Sequence, residues 1–202
     1  MIDLPHFELN EAVPPPAPSP AVLNALATRR SAPAQALAAP GPSESQLDAI
    51  LQLGARTPDH GKLFPWRFVV LGPRSRAEIA EKLAVLAELR DKPAKDQAVL
   101  AKLTAAPVTI LVVSTPVPAA KPIWEQQLSA GAVCMNLEHA AGAFGYSSSW
   151  ITDWYSYDPQ AVALFGLTEG ETVAGFIHIG TLAEAALERP RPDMAAKVTR
   201  LP

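Results

Sequence analysis

The chain predicts an α+β domain. Four runs rich in β-branched and aromatic residues, "WRFVVLG" (66–72), "VTILVVST" (108–115), "YSSSWIT" (146–152) and "TVAGFIHIGT" (172–181), alternate with longer stretches of helical periodicity. Hydrophobic residues make up 49% and charged residues 18% of 202, a balance that packs a real core. No internal repeat is present, so one domain over residues 20–202 is the economical reading.

The elements follow in chain order. Residues 1–19 run into "PPPAPSP", where proline excludes helix and central strand. This segment is read as a flexible arm, with a partner-binding segment as the alternative. Ser19 and Pro20, a cap and a first-turn proline, open a helix through "AVLNALATRR". "SAPAQALAAPGP" is a loop, and "SESQLDAILQLGAR" begins a second helix with Ser43 and Gln46 at capping-box spacing. After the strand at 66–72 come the helix "RSRAEIAEKLAVLAELR" and a further helical piece over 93–104. "VTILVVST" is apolar without alternation, as expected of a strand buried on both faces. "PIWEQQLSAGAVCMNLEHAAGAFG" is the longest helix, and its small residues Ser129 to Ala132 suit close packing in the core or at a dimer interface. Asp158 and Pro159 start a short helix ending near Gly166, and "ERPRPD" lies in a polar tail after the last strand.

Several classes of function are poorly supported. A net charge of -3 argues against a nucleic-acid partner, and no apolar run approaches the roughly 20 residues that span a bilayer. The acidic N-terminus lacks the basic start of a signal peptide, and one cysteine suits a reducing compartment, so the expected location is cytoplasmic. His6, His60, His139 and His178 have no metal-ligand spacing, and no glycine-rich phosphate loop or nucleophile elbow occurs. Cys134 falls among apolar residues of the longest helix and reads as a packing residue.

Four constellations remain. Arg29, Arg30 and Ser31 sit at a helix end, where cations complement the helix dipole but also make a fork-and-hydroxyl grip for a phosphate. Arg189 and Arg191 in "ERPRPD" are either a solvated tail or an addition to that grip. "GARTPDHGKLFPWRF" (54–68) places Arg56, His60, Lys62 and Trp66 in a connection that needs only its glycine and prolines to turn. "SSSWITDW" leaves a strand with Trp150, Ile151 and Thr152, which either finish the core or line a site.

Taken in order, "RRS", "RTPDHGKLFPW", "WEQQLSAGAVCMNLEHAAGAFGYSSSWIT", "VAGFIHIGT" and "RPRPD" resemble the nitroreductase superfamily of FMN-dependent oxidoreductases, in its small single-domain subgroup. The resemblance runs from about residue 22 to the end. It implies a three-layer fold, with a mixed, mostly antiparallel sheet flanked by helices, in an intertwined homodimer. It implies FMN as cofactor and NAD(P)H as co-substrate, with hydride passed by a ping-pong mechanism to nitroaromatic or quinone-like acceptors. By the same resemblance Arg29, Arg30, Ser31 and Arg191 hold the FMN phosphate and ribityl chain. Arg56 and His60 approach the flavin from the partner chain, and Trp150, Ile151 and Thr152 line its ring, with main-chain N–H groups near Thr152 and Asp153 facing it. His60 is read as a binding residue and not as a proton donor in hydride transfer, because Asp59 is the only neighbouring carboxylate in the sequence. Phe64 departs from the pattern, since many relatives carry Gln before Pro-Trp, and "TDW" after Ile151 also differs. A flavin-binding protein for storage or sensing is the alternative to an enzyme.

Overall fold

The computed structural model describes residues 2–118 and 121–202. Among the described residues seven α-helices and five strands follow one another as α1 (Pro20–Thr28), β1 (Leu37–Ala38), α2 (Glu44–Gly54), β2 (Trp66–Leu71), α3 (Pro73–Leu89), α4 (Ala94–Ala98), α5 (Ala101–Ala105), β3 (Val108–Ser114), α6 (Ile123–Ala143), β4 (Ser147–Ile151), α7 (Pro159–Leu164) and β5 (Thr172–Leu182). The caps anticipated from sequence close as expected. Ser19 accepts from Val22 N, Ser43 and Gln46 form a full capping box, and Asp158 accepts from Gln160 N and Ala161 N.

β5 is the organising strand. It pairs with β3, β4 and β1, and β3 pairs in turn with β2, so the order β1-β5-β3-β2 carries β4 as an additional partner of β5. Every pairing among the described residues is antiparallel. The side chains of β3 and β5 alternate between two cores, because successive residues of a strand face opposite ways. Leu111, Val113 and Phe176 join Leu83, Leu103, Tyr155 and Phe165 on the face covered by α3, α5 and α7. Ile110, Val112, Ile177 and Ile179 join Ile50, Val133, Cys134 and Leu137 on the face covered by α2 and α6. The result is three layers, and each large side chain removed from water contributes about 1.5–3 kcal/mol.

Two expectations need correction. The loop at 31–42 holds a 3-10 turn over Ala34–Ala36 and the two-residue strand β1, whose Leu37 and Ala38 face Leu182 and Thr181 of β5. A pair of residues this short leaves no periodic signal. The helical piece at 93–104 is two helices, α4 and α5, separated at Val99 and Leu100. The arm forms neither helix nor strand, and of it only residue 1 lies outside the described residues. Ile2, Leu4 and Phe7 are half-buried, with Leu4 to Phe7 and Val13 bordering a cleft with Gln52, Leu53 and Arg56 of α2 and the loop after it. Of the small residues in α6, Ser129 and Ala130 are buried, whereas Ala132 is exposed.

Candidate functional site

The end of α1 and the tail after β5 meet, although Arg29 and Arg191 are 162 residues apart. Arg191 Nη2 donates to Arg29 O (3.2 Å), Arg29 Nη1 reaches Ser31 Oγ (3.3 Å), and Arg30 Nε donates to Leu187 O (2.8 Å). Glu188 lies 2.9 Å from Arg191 and 3.9 Å from Arg30. Ala32 N donates to Ser148 O (2.8 Å), which fixes the "RRS" turn against β4. Arg29 and Arg30 border a cleft of about 210 Å³ with Thr28, His139, Tyr146 and Ser148. Its inner wall is Glu138, a buried carboxylate of α6 that accepts from Ser148 Oγ (3.2 Å) and lies 3.9 Å from Arg29 Nη1. Sequence reasoning missed Glu138, although its spacing after Ala130, Cys134 and Leu137 puts it on the inward face of the helix. Arg189 makes no side-chain hydrogen bond or ion pair among the described residues.

Trp150 occupies a slot made by two glycines. Its Nε1 donates to Ala174 O (3.1 Å), and a Cβ on Gly175 would stand 2.0 Å from Nε1 and 2.3 Å from Cδ1. A Cβ on Gly131 of α6 would come within 3.8 Å of the far edge of the ring. Gly175→Ala is therefore expected to lower stability by about 1–3 kcal/mol through overpacking. Gly142→Ala meets nothing within 4 Å in α6 and gains helix propensity instead. Urea unfolding compares the two, and a Gly175→Ala protein as stable as the parent would show that the indole does not lie in this slot. Ile151 packs against the core under α3. Thr152 is exposed and its Oγ1 accepts from Tyr157 O–H (2.9 Å). The Asp153 N–H donates to Ser156 Oγ (3.2 Å) within the cap of the following turn.

The loop 55–65 is fastened to α6 at three levels. Asn136 Nδ2 donates to Thr57 Oγ1 (2.8 Å), Ser129 Oγ donates to Pro58 O (3.0 Å), and His60 Nδ1 lies 2.6 Å from Glu125 Oε2. That last contact corrects the expectation that His60 has only Asp59 for company. Asp59 works inside the loop, its carboxylate accepting from Leu63 N (2.7 Å) and Phe64 N (3.4 Å). These bonds hold Lys62 and Phe64 at φ 57° and 47°, a left-handed conformation uncommon outside glycine. Phe64 is 63% exposed as a result. Gln126 braces the next connection, accepting from Val117 N (2.8 Å) and donating to Val117 O (3.1 Å) and Lys121 O (2.9 Å). Arg56 is exposed and has no side-chain hydrogen bond or ion pair among the described residues; it borders an apolar groove with Val22, Leu26, Asn136 and His139.

One chain thus brings together Arg29, Arg30, Ser31 and Arg191, and joins them through β4 to Trp150, Ile151 and Thr152. Ser148 to Thr152 spans about 13 Å of extended strand. His60 stands apart. Along α6, its partner Glu125 is 13 residues from Glu138, or about 20 Å.

The nitroreductase family model matches residues 26–181. The chain belongs to the nitroreductase family. It is 35% identical over 162 residues to the Escherichia coli K12 protein named "Putative NAD(P)H nitroreductase YdjA", covering 79% of this chain and 87% of that one. The crystal structure of a nitroreductase-like family protein from Bacillus cereus superposes with a TM-score of 0.77 at 21% identity, covering 94% of this chain and 99% of that one. That of a nitroreductase with bound FMN from Bacteroides fragilis gives 0.68 at 23% identity, covering 91% and 100%. No helix among the described residues is long and apolar enough to cross a membrane, and no cluster of three potential metal ligands occurs among them.

Proposed function

We propose that this chain is an FMN-dependent NAD(P)H oxidoreductase that reduces nitroaromatic or quinone-like acceptors by a ping-pong mechanism, with residues 20–202 as one FMN-binding domain. The observation that carries this is the cluster of Arg29, Arg30, Ser31 and Arg191, assembled from opposite ends of a nitroreductase-family chain. Three guanidiniums and a hydroxyl against two carboxylates, the buried Glu138 and the exposed Glu188, still leave an excess of positive charge, the donor set that a phosphate monoester requires. The residues present therefore fit FMN, whose phosphate they would hold while Trp150, Ile151 and Thr152 border its ring. Bound FMN supplies the hydride chemistry. The chain's own tasks are to grip the phosphate, set the walls of the site and admit donor and acceptor in turn. The relative named as an NAD(P)H nitroreductase and the neighbour with bound FMN support this reading.

We propose further that the site is completed by a second copy. α1 buries none of its residues within one chain, and Val22, Leu23 and Leu26 are each more than half exposed. Trp124 and Leu128 of α6 are 68% and 53% exposed. An apolar surface on this scale suits a homodimer, and the distance of His60 from the arginine cluster suits delivery of Arg56 and His60 to the partner's flavin. Light scattering is expected to show a dimer that loses flavin on dissociation. A folded, fully FMN-loaded monomer would overturn the shared site.

The test of the cofactor assignment is Arg29→Ala against Lys62→Ala. Losing a charge-assisted phosphate contact costs about 1.5–3 kcal/mol, or tenfold and more in affinity. The purified parent is expected to show a flavin spectrum from FMN and to turn over with NAD(P)H and a quinone. Arg29→Ala is expected to lose flavin, whereas Lys62→Ala, exposed in the loop, retains it. Equal flavin in the two variants removes Arg29 from the phosphate grip. Slow flavin reduction without turnover favours the storage or sensing role.

A further inference from the structure

His60 and Glu125 make a closer contact than loop anchoring demands. Both side chains are partly exposed, at 56% and 39%, and exposed ion pairs add little to stability. The loop is already fastened by Asn136, Ser129 and Asp59. Yet His60 Nδ1 stands 2.6 Å from Glu125 Oε2, and Nε2 has no protein partner among the described residues. A carboxylate against Nδ1 selects the tautomer with hydrogen on Nδ1 and balances the charge of the ring when Nε2 is also protonated. That is the arrangement of an oriented acid, with one nitrogen held and the other available. Three other charged side chains belong to this loop: the exposed Arg56, Asp59, whose carboxylate is bound to backbone N–H groups, and Lys62, held at positive φ.

We propose that His60 and Glu125 form a proton-delivery unit for the electron acceptor, with His60 Nε2 as donor and Glu125 as the residue that positions it. The proposal rests on the shared-site reading, in which the loop of one protomer reaches the site of its partner. A quinone becoming a hydroquinone takes up two electrons and two protons. One proton arrives with the hydride, and the second forms a new O–H bond on the oxygen where negative charge builds. His60 gives up its Nε2 proton to that oxygen and regains one from water. With a nitroaromatic, the same hydride and proton break one N–O bond, so that water leaves and a nitroso compound remains. Transfer of hydride from NAD(P)H needs no such proton, so the unit acts on one half of the cycle.

The experiment compares FMN-loaded parent, His60→Gln, Glu125→Ala and the double variant by stopped flow, following reduction by NAD(P)H and reoxidation by p-benzoquinone separately. Reoxidation is expected to slow about 100-fold in His60→Gln and about 10-fold in Glu125→Ala, with the double variant no slower than His60→Gln. Reduction is expected to stay within about tenfold in all three, since no general acid is lost from that step. Independently of turnover, ¹⁵N NMR of histidine-labelled protein is expected to show His60 protonated at Nδ1 in the parent and a mixture of tautomers in Glu125→Ala. Reoxidation within threefold of the parent, equal slowing of both half-reactions, additive losses, or a neutral ring protonated at Nε2 alone in the parent would each overturn the unit. A chain that binds no flavin overturns the function proposed above together with this step, whereas a flavin-loaded chain with unaffected reoxidation overturns this step alone.

Discussion

Arg76→Met is expected to cost about 3–5 kcal/mol of unfolding free energy, the range for removing one partner from a buried charged network. Arg76 projects from α3 and is 2% exposed, with no carboxylate within ion-pair distance among the described residues. Its partners are carbonyls left open where α5 ends. Nη1 donates to Leu103 O (3.0 Å), to Ala106 O and to Thr109 Oγ1 (3.2 Å), and Nη2 donates to Pro107 O (3.1 Å). A helix C-terminus carries partial negative charge, so the guanidinium is stabilised by dipoles in place of a counter-ion. Burial pulls its pKa below the usual arginine value. Methionine relieves that desolvation but strands three carbonyls, each costing about 1–3 kcal/mol when unpaired. The stranded carbonyls outweigh the relieved charge. Urea titration with an unchanged slope checks the loss, and a decrease below about 1 kcal/mol would mean that water takes over the guanidinium's bonds.

Arg76 also shows where sequence reading ends. The helix "RSRAEIAEKLAVLAELR" is legible from its periodicity, but which of its cations turns inward depends on a loop thirty residues later. Local signals fared well. Ser19, Ser43 and Asp158 cap helices through bonds two or three residues away, and the β-branched run "VTILVVST" is a buried strand as its lack of alternation predicts. β1 was invisible, since Leu37 and Ala38 become a strand only by meeting the end of β5. The same division runs through the candidate site. Arg29, Arg30 and Ser31 are adjacent in sequence, and Arg191 could be attached to them only by resemblance until the fold placed it on Arg29 O. Glu125 lies 65 residues from His60, and no spacing rule links them. Phe64 was legible as a departure from the pattern, and the left-handed backbone that exposes it was not.

The pH dependence of stability is expected to be steep in mild acid because of His178. This residue of β5 is fully buried, and its pKa is pushed down to about 4, first by burial and then by the positive charges of Arg76 and Lys102. The hydroxyl of Thr109 receives Arg76 Nη1 and shares a hydrogen bond with His178 Nδ1 (2.9 Å), while Nε2 has no partner among the described residues. A second proton would charge a buried ring that has two cations nearby and no acceptor at Nε2 among the described residues. Unfolded, the ring binds that proton near pH 6.5. Between pH 6.5 and about 4 the unfolded chain therefore holds more protons than the folded one, and stability falls as pH falls, by up to about 1.4 kcal/mol per unit and about 3 kcal/mol in all. Glu171 has the same sign of linkage but a lower window. Its hydrogen bonds with Arg67 hold it down at about 2, so its contribution is present above about 4.5 and is lost only as pH drops through 2. Between pH 6.5 and 4.5 the decline belongs to His178. His178→Gln keeps a partner for Thr109 without the titration, and its unfolding free energy is expected to be nearly level across that range while the parent's falls by about 2 kcal/mol. Parallel curves for parent and variant, measured by urea unfolding at pH 7, 6 and 5, would place the acid sensitivity elsewhere in the molecule.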